Sequence, residues 1–177
     1  MKPLTYVSGL LILASVAAGC GSGGNTPTTP SPAASSSTFN ATLLPASEVP
    51  PVSGSEAGGS GTSSLTFNLT RDAAGNITAA TMDATVTVTG FPAGTTLTAS
   101  HIHPGALGAS GGVFVSLGLT PGEISFASGS GSFTKRGVTL TVDQANSIMA
   151  NPGGFYLNIH TAENPNGVAR GQLTRVQ

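Results

Sequence analysis

The chain has one cysteine and few charged residues, and each scarcity limits what kind of protein it is. Lysine, arginine, aspartate and glutamate together make up 7% of the 177 residues. Coiled coils and helical enzymes use many of these residues, so neither class fits. A single cysteine cannot form an intramolecular disulfide. The fold must therefore rely on a hydrophobic core, for which about 135 ordered residues are sufficient.

The scarce charges also exclude a nucleic-acid partner. The chain has six basic and seven acidic residues, and Lys135-Arg136 is the only adjacent cationic pair. Proteins that bind the phosphate backbone use several clustered lysine or arginine side chains. We therefore expect no nucleic-acid binding.

The first 19 residues have the pattern of a lipoprotein signal peptide. Lys2 gives a positive start, and residues 4–18 form an uncharged apolar stretch that is too short to span ~30 Å of hydrocarbon comfortably. Small residues then precede Cys20, an ending that resembles a lipobox, although Ala17 stands where leucine is usual. We expect cleavage before Cys20 and acylation of its thiol with palmitate-like chains. The alternative is an ordinary signal peptide that is cut near Ala18.

This leader predicts where the protein is located. A lipid anchor on Cys20 makes the membrane a partner and places the chain at the cell envelope, on the outer membrane or the cell surface, outside the cytoplasm. Residues 20–37 are almost entirely glycine, serine, threonine, proline and alanine. Such a segment buries too little apolar area to offset its ordering entropy, so we expect a flexible tether.

Residues 38–177 have the pattern of an all-β domain. Apolar and polar residues alternate in short runs between glycine-rich turns, which predicts eight or nine strands. These include a hairpin with its turn at residues 72–76, one strand within 124–133 and a last strand at 168–176. One short helix is expected near 143–150, capped by Asp143. The arrangement favours an antiparallel β-sandwich with Greek-key, immunoglobulin-like connections.

Three separated motifs stand out: LLPASEVPPV at 43–52, HIHPG at 101–105 continuing to GGV, and YLNIHT at 156–161 followed by NPNG and RGQL. Together they resemble the CHRD family, whose domain is named after animal chordin and occurs in many bacterial exported proteins. The resemblance covers about residues 38–175 and implies a β-sandwich module outside the cytoplasm. The resemblance names no ligand, so whether the partner is a protein or a small ligand stays open. Val168-Ala169 before Arg170 departs from the acidic or polar residue that is usual there.

All three histidines of the chain lie in these motifs. His101 and His103 are two residues apart on one predicted strand, so they share a face, which we expect to continue Leu97 and Ala99. His160 lies on another strand, and if the two strands are neighbours the imidazoles converge into a site for Zn²⁺ or copper. The alternative is a structural role, with hydrogen bonds to the backbone or to one of three side chains: Asn158, Ser100 and Glu163.

Two rare charges, Glu48 and Arg170, also lie in the motifs. Arginine engages a carboxylate through parallel hydrogen bonds, so a structural pair is expected, with Glu163 as the other possible acid. Asn158 is expected to be a polar group on the second face of its strand. The alternative for Glu48 and Arg170 is a site for the carboxylate of a ligand.

No catalytic residue is predicted. The sequence has no Gly-x-Ser-x-Gly between a strand and a helix, and its acids are spread singly, so neither a serine hydrolase nor a glycosidase fits. Three histidines are also too few for a copper-zinc superoxide dismutase. We expect a non-enzymatic binding or structural module, with a metal-binding envelope protein as the alternative. An enzyme on the same metal, with Glu163 as the nearby acid, is the weakest hypothesis.

Overall fold

A computed structural model of the protein describes residues 31–176. The predicted signal peptide, Cys20 and the tether up to residue 30 lie outside the described residues. Within the described part of the chain, no helix combines the length and apolarity needed to cross a membrane.

Residues 31–176 form ten β-strands and one α-helix, with short 3-10 turns between them. The strands are β1 (Ala33–Leu43), β2 (Ser60–Arg71), β3 (Ile77–Thr89), β4 (Thr95–Pro104), β5 (Val115–Ser116), β6 (Ile124–Phe126), β7 (Gly131–Leu140), β8 (Phe155–Thr161), β9 (Ala169–Gln172) and β10 (Thr174–Arg175), and the helix α1 is Val142–Ala150. One sheet has the order β10-β1-β2-β3-β7, and the other has the order β5-β4-β8-β9 with β6 also paired to β4. The predicted antiparallel sandwich with one short helix is confirmed.

The alternating residues of the first sheet close the core as the sequence predicts. Phe39 of β1 and Phe67 of β2 are fully buried, with ring centroids 5.0 Å apart in an edge-on arrangement. β2 and β3 form the expected hairpin, because Asp72 accepts hydrogen bonds from the backbone N–H groups of Ala74 and Asn76 and so fixes the turn.

Two predicted boundaries are wrong. β1 begins at Ala33, within the predicted tether, because residues 33–37 pair with the end of β2 and complete the sheet edge. The stretch 124–133, predicted as one strand, is divided into β6 and β7. Gly129 turns the chain there at φ +72°, and a Cβ at this position would lie 1.8 Å from the carbonyl oxygen of Phe91.

The final stretch, residues 168–176, is also two strands rather than one. β9 pairs with β8 in the second sheet, and β10 pairs with β1 in the first. Leu173, between them, is 1% exposed and fills the core where the chain crosses. The C-terminal segment thus joins the two sheets.

The helix begins one residue before its predicted start. Thr141, not Asp143, is the N-cap: its hydroxyl accepts from the backbone N–H of Gln144, whose side chain accepts from the backbone N–H of Thr141. This reciprocal arrangement satisfies two N–H groups that an uncapped helix leaves without partners. Asp143 lies in the first turn.

Candidate metal centre

The outer face of the second sheet is polar yet buried. All seven residues of β8 are buried, whereas a strand with one face in water buries alternate residues. Phe155, Leu157 and Ile159 belong to the hydrophobic core, so the intervening polar residues of β8 lie on the opposite face. That face is covered by loops, and it carries the candidate site.

Strand register brings the motif residues together on this face. β4 and β8 are neighbours, as convergence of the histidines requires. His103 lies opposite Tyr156, and His101 lies opposite Asn158, which in turn lies opposite Arg170 of β9. Residues that are directly opposed in an antiparallel sheet project to the same side.

One expectation about this face is wrong. Leu97 was expected on the same face as His101 and His103, but Leu97 is 1% exposed and belongs to the hydrophobic core together with Ile102. The register shifts between Leu97 and Ala99, which is a bulge that adds one residue to β4. A one-residue shift moves every following side chain to the other face, which is why simple alternation fails here.

The three imidazoles form a compact cluster. One ring nitrogen from each of His101, His103 and His160 lies within 4.8 Å of the other two. Nδ1 of His101 is 3.1 Å from Nε2 of His160. The ring centroids of His101 and His103 are 5.5 Å apart, and those of His101 and His160 are 4.9 Å apart.

Backbone carbonyls orient two of the rings. Nδ1 of His103 lies 3.0 Å from the carbonyl oxygen of Gly111, and Nδ1 of His160 lies 3.0 Å from that of Pro165. A carbonyl only accepts, so each Nδ1 donates its proton, and each neutral ring carries its lone pair on Nε2. Metal-binding histidines are held in the same way by an acceptor on the second nitrogen.

The Nε2 lone pair of His103 lacks a donor in the described part of the chain, whereas that of His160 can accept from Nδ1 of His101 at 3.1 Å. Nε2 of His103 is buried and has no hydrogen-bond partner among residues 31–176. Nε2 of His160 lies 3.0 Å from Oδ1 of Asn158, which is also an acceptor. Two facing acceptors repel each other, unless the Asn158 amide presents its nitrogen instead or an electron-pair acceptor is bound.

Burial favours the neutral forms of His101 and His160 by lowering their pKa values. Burial is the main cause that lowers the pKa of His101 to about 4, with smaller contributions from the positive charges of His160 and His103. Burial also lowers the pKa of His160, against the raising effect of its hydrogen bond to Pro165. A neutral imidazole is the form that binds a metal ion, so these ligands are available at neutral pH.

Glu48 and Arg170 are both buried, at 7% and 1% exposure, but they do not form the expected bidentate pair. No ion pair between them within 4.0 Å exists among the described residues. Arg170 instead donates from Nε to the carbonyl oxygen of Ser47 at 2.6 Å and from Nη1 to that of Ala109 at 3.0 Å. These carbonyls belong to the covering loops, so Arg170 joins the loops to the sheet.

Tyr156 links Arg170 to the histidines. The guanidinium carbon of Arg170 lies 4.2 Å from the centre of the Tyr156 ring, within the range of a cation–π contact. The same ring stacks on His103 with an interplanar angle of 7° and centroids 5.1 Å apart. The cluster is thus held on a rigid support, as a preorganised metal site requires.

The motifs that build this face are also those of a known domain. A family model described as CHRD domain matches residues 39–173, which include every strand from the core of β1 to the end of β9. The chain belongs to the CHRD family. No curated protein and no solved structure matches the chain.

Membership of the CHRD family confirms the resemblance seen in the motifs. CHRD domains are non-enzymatic modules, and membership supports an extracellular structural or binding module. The histidines, Glu48 and Arg170 all lie within the matched residues, so the candidate site is part of the CHRD domain itself.

Sequence reasoning missed Glu56, which organises the covering loops. This carboxylate is 4% exposed and accepts hydrogen bonds from Oγ1 of Thr161 at 2.7 Å and from Nδ2 of Asn164 at 2.6 Å. It lies in a glycine-serine stretch with no motif, and only its scarcity as a charged residue marked it.

Glu163, expected near the histidines or Arg170, accepts instead from the hydroxyl of Ser55. Ser100 donates to the backbone carbonyl of Asn158.

We expect Glu48→Gln to change how stability depends on pH. Burial raises the pKa of Glu48 to about 7 from its ordinary 4.5, against the lowering effect of Arg170. The folded protein therefore holds a proton that the unfolded chain loses between pH 4.5 and 7, so wild-type stability falls as pH rises through this window. The free energy of unfolding of Glu48→Gln minus that of wild type should therefore increase by about 1–3 kcal/mol between pH 4.5 and pH 7.5.

Urea unfolding of both proteins at several pH values in the presence of chelator measures this difference. The neutral histidines act in the opposite direction, because their lowered pKa values make stability fall as pH drops below about 6.5. Their contribution is common to both proteins and cancels in the difference. A stability difference between the two proteins that stays constant with pH, or that shrinks as pH rises, would contradict a raised pKa for Glu48.

Proposed function

We propose that this protein is a non-enzymatic, extracytoplasmic CHRD module that binds one Zn²⁺ or copper ion through His101, His103 and His160, and that lipid on Cys20 holds it to a membrane. The observation that carries the metal site is Nε2 of His103, which is buried and has no hydrogen-bond partner among residues 31–176. A buried polar atom without a partner is costly, and a bound ion removes that cost.

The ligand set favours Zn²⁺ and copper over hard cations. The cluster consists of three imidazoles and includes no carboxylate from the described residues. Imidazole suits zinc and copper, whereas magnesium and calcium prefer oxygen ligands. Three histidines leave a fourth position open for water or a ligand of the module.

A purely structural role for the histidines is the second candidate. The ring nitrogens that face Gly111 and Pro165 have carbonyl partners at 3.0 Å, so these rings also fix the covering loops in place. The two candidates differ in one consequence. Only a metal site gives stoichiometric binding and metal-dependent stability.

Metal binding is tested with protein purified without chelators and dialysed against Zn²⁺ or Cu²⁺. We expect one ion per chain by elemental analysis. At a free metal concentration 100 times the dissociation constant, the free energy of unfolding should rise by about 2.7 kcal/mol. The triple variant His101→Ala, His103→Ala, His160→Ala should lose both effects.

Asn68→Ala provides the matched control, because Asn68 is exposed on the first sheet, away from the cluster. Substoichiometric metal in wild type, or equal metal in wild type and the triple variant, would leave the structural role as the function of the histidines.

The lipid anchor is tested separately, through Cys20. We expect the mature protein to begin at Cys20 with acyl chains that mass spectrometry detects, and to sediment with membranes. Each buried CH₂ contributes about 0.8 kcal/mol, so more than one chain makes attachment stable. Cys20→Ser should remove the lipid and shift the protein out of the membrane fraction. Unmodified Cys20 in a membrane-free protein would contradict the anchor.

A further inference from the structure

A second candidate site lies beside the histidine cluster. Two loops, residues 48–53 and 163–167, enclose an open pocket of about 290 Å³. Pro50, Pro51 and Pro165 contribute apolar walls, and two carboxylates, Glu48 and Glu163, line the same space. The carbonyl of Pro165 is the one that holds His160, so the pocket and the histidines share a wall.

Acidic side chains are concentrated around this pocket. Three of the seven acidic residues of the chain, Glu48, Glu56 and Glu163, lie in or beside the two loops. The ion pairs found among residues 31–176 are Lys135–Glu123 and Arg136–Asp83, and neither involves these three acids. Arg170 is near Glu48 but donates to backbone carbonyls. The acidic groups of the pocket therefore form no ion pair within 4.0 Å in residues 31–176.

One of these carboxylates lacks a partner although it is buried. Glu48 is 7% exposed, and its Oε1 has no hydrogen-bond donor within the described part of the chain. The oxygen packs against Gly167, where an added Cβ would lie only 2.5 Å from it. Because buried carboxylate oxygens are normally hydrogen-bonded, this atom indicates a donor that comes from outside the chain.

We propose that this pocket binds an aliphatic primary ammonium group, such as a small alkylamine or a lysine side chain. An ammonium carries three N–H donors that match carboxylate acceptors, and its alkyl stem packs against the proline walls. A calcium ion requires six to eight oxygen ligands. Glu56 and Glu163 already accept hydrogen bonds from neighbouring side chains, so the pocket offers too few. This site is separate from the proposed metal centre.

Calorimetric titration of the purified full-length protein tests the proposal with three probes. These are n-butylammonium, Nα-acetyl-lysine methylamide, and the same lysine amide with its Nε acetylated. We expect the charged probes to bind and the Nε-acetylated probe to show no binding. Equal affinity for the two charged probes indicates a pocket for free amines, whereas tighter binding of the lysine amide indicates a lysine of a peptide.

Glu48→Gln and Glu163→Gln should each weaken binding of the charged probes at least tenfold. Asp83→Asn, which changes an acid of the first sheet that is near Arg136, should leave the affinity unchanged. Glu163→Gln should also keep the metal stoichiometry, so the two sites are distinguished. The proposal is overturned by absence of binding of both charged probes, by undiminished binding in both Glu variants, or by Ca²⁺ displacing the ammonium at equal concentration.

Discussion

Replacing Arg170 with methionine is expected to lower the free energy of unfolding by about 3–5 kcal/mol, the range found when one partner of a buried charge arrangement is removed. The guanidinium is 1% exposed, and its loss leaves the carbonyls of Ser47 and Ala109 without their donors. It also removes the positive charge nearest to the buried carboxylate of Glu48 and the contact with Tyr156.

Urea denaturation of Arg170→Met, with Arg175→Met as the control, measures this loss. Arg175 is exposed, so its substitution should cost under about 1 kcal/mol. The double variant Glu48→Gln with Arg170→Met should recover part of the loss, because without Arg170 the buried carboxyl must take up a proton, whereas an amide need not. A loss below about 1 kcal/mol for Arg170→Met would show that water replaces the guanidinium without penalty, contrary to the account.

The second large effect is expected at Gly171, where β9 passes against β1. A Cβ on Gly171 would lie 2.0 Å from the carbonyl oxygen of Thr42 and 2.7 Å from its carbonyl carbon. These atoms are backbone within a sheet, so they cannot move aside as a side chain does. Gly171→Ala should therefore cost about 3 kcal/mol or more, at the upper end of overpacking effects.

Gly153→Ala is the matched control, because nothing lies within 4 Å of a Cβ at Gly153. Thermal unfolding followed by circular dichroism compares the two variants with wild type. We expect a large drop in midpoint for Gly171→Ala and little change for the control. Similar midpoints for the two variants would mean that β9 and β1 separate at no significant cost.

The fold could be predicted where local pattern decides the structure. Period-two alternation in β1 and β2 reflects one face in the core and one in water, so Phe39 and Phe67 were recognisable as core residues. The division of the last stretch into β9 and β10 was not predictable in this way. Leu173 continues an apolar pattern, but its strand partners are far apart in sequence.

The candidate site was predictable in composition more than in arrangement. Three scarce histidines in two motifs indicated a cluster, and pairing of β4 with β8 brings them together. The bulge after Leu97 could not be foreseen, because one inserted residue leaves no mark on composition. The acceptors that orient the rings are backbone carbonyls of Gly111 and Pro165, which every residue possesses and no sequence pattern announces.

The pairing of Glu48 with Arg170 failed as a prediction for a related reason. Opposite charges in a sequence suggest a pair, but a buried guanidinium can satisfy its donors on any acceptor of suitable geometry. Arg170 donates hydrogen bonds to the carbonyls of two loops, and the positions of these carbonyls depend on how the loops fold over the sheet. Loop position is a product of the tertiary structure, so charge pairing alone was insufficient.

X-ray absorption spectroscopy of the zinc- or copper-loaded protein tests whether the three histidines bind the ion, because it identifies the ligand atoms. For zinc, the account predicts nitrogen ligands at about 2.0–2.1 Å with the outer-shell scattering of three imidazole rings. The spectrum should change when His103 is replaced by alanine. A first shell of oxygen ligands without imidazole scattering, unchanged in His103→Ala, would show that the ion binds elsewhere and would contradict the account.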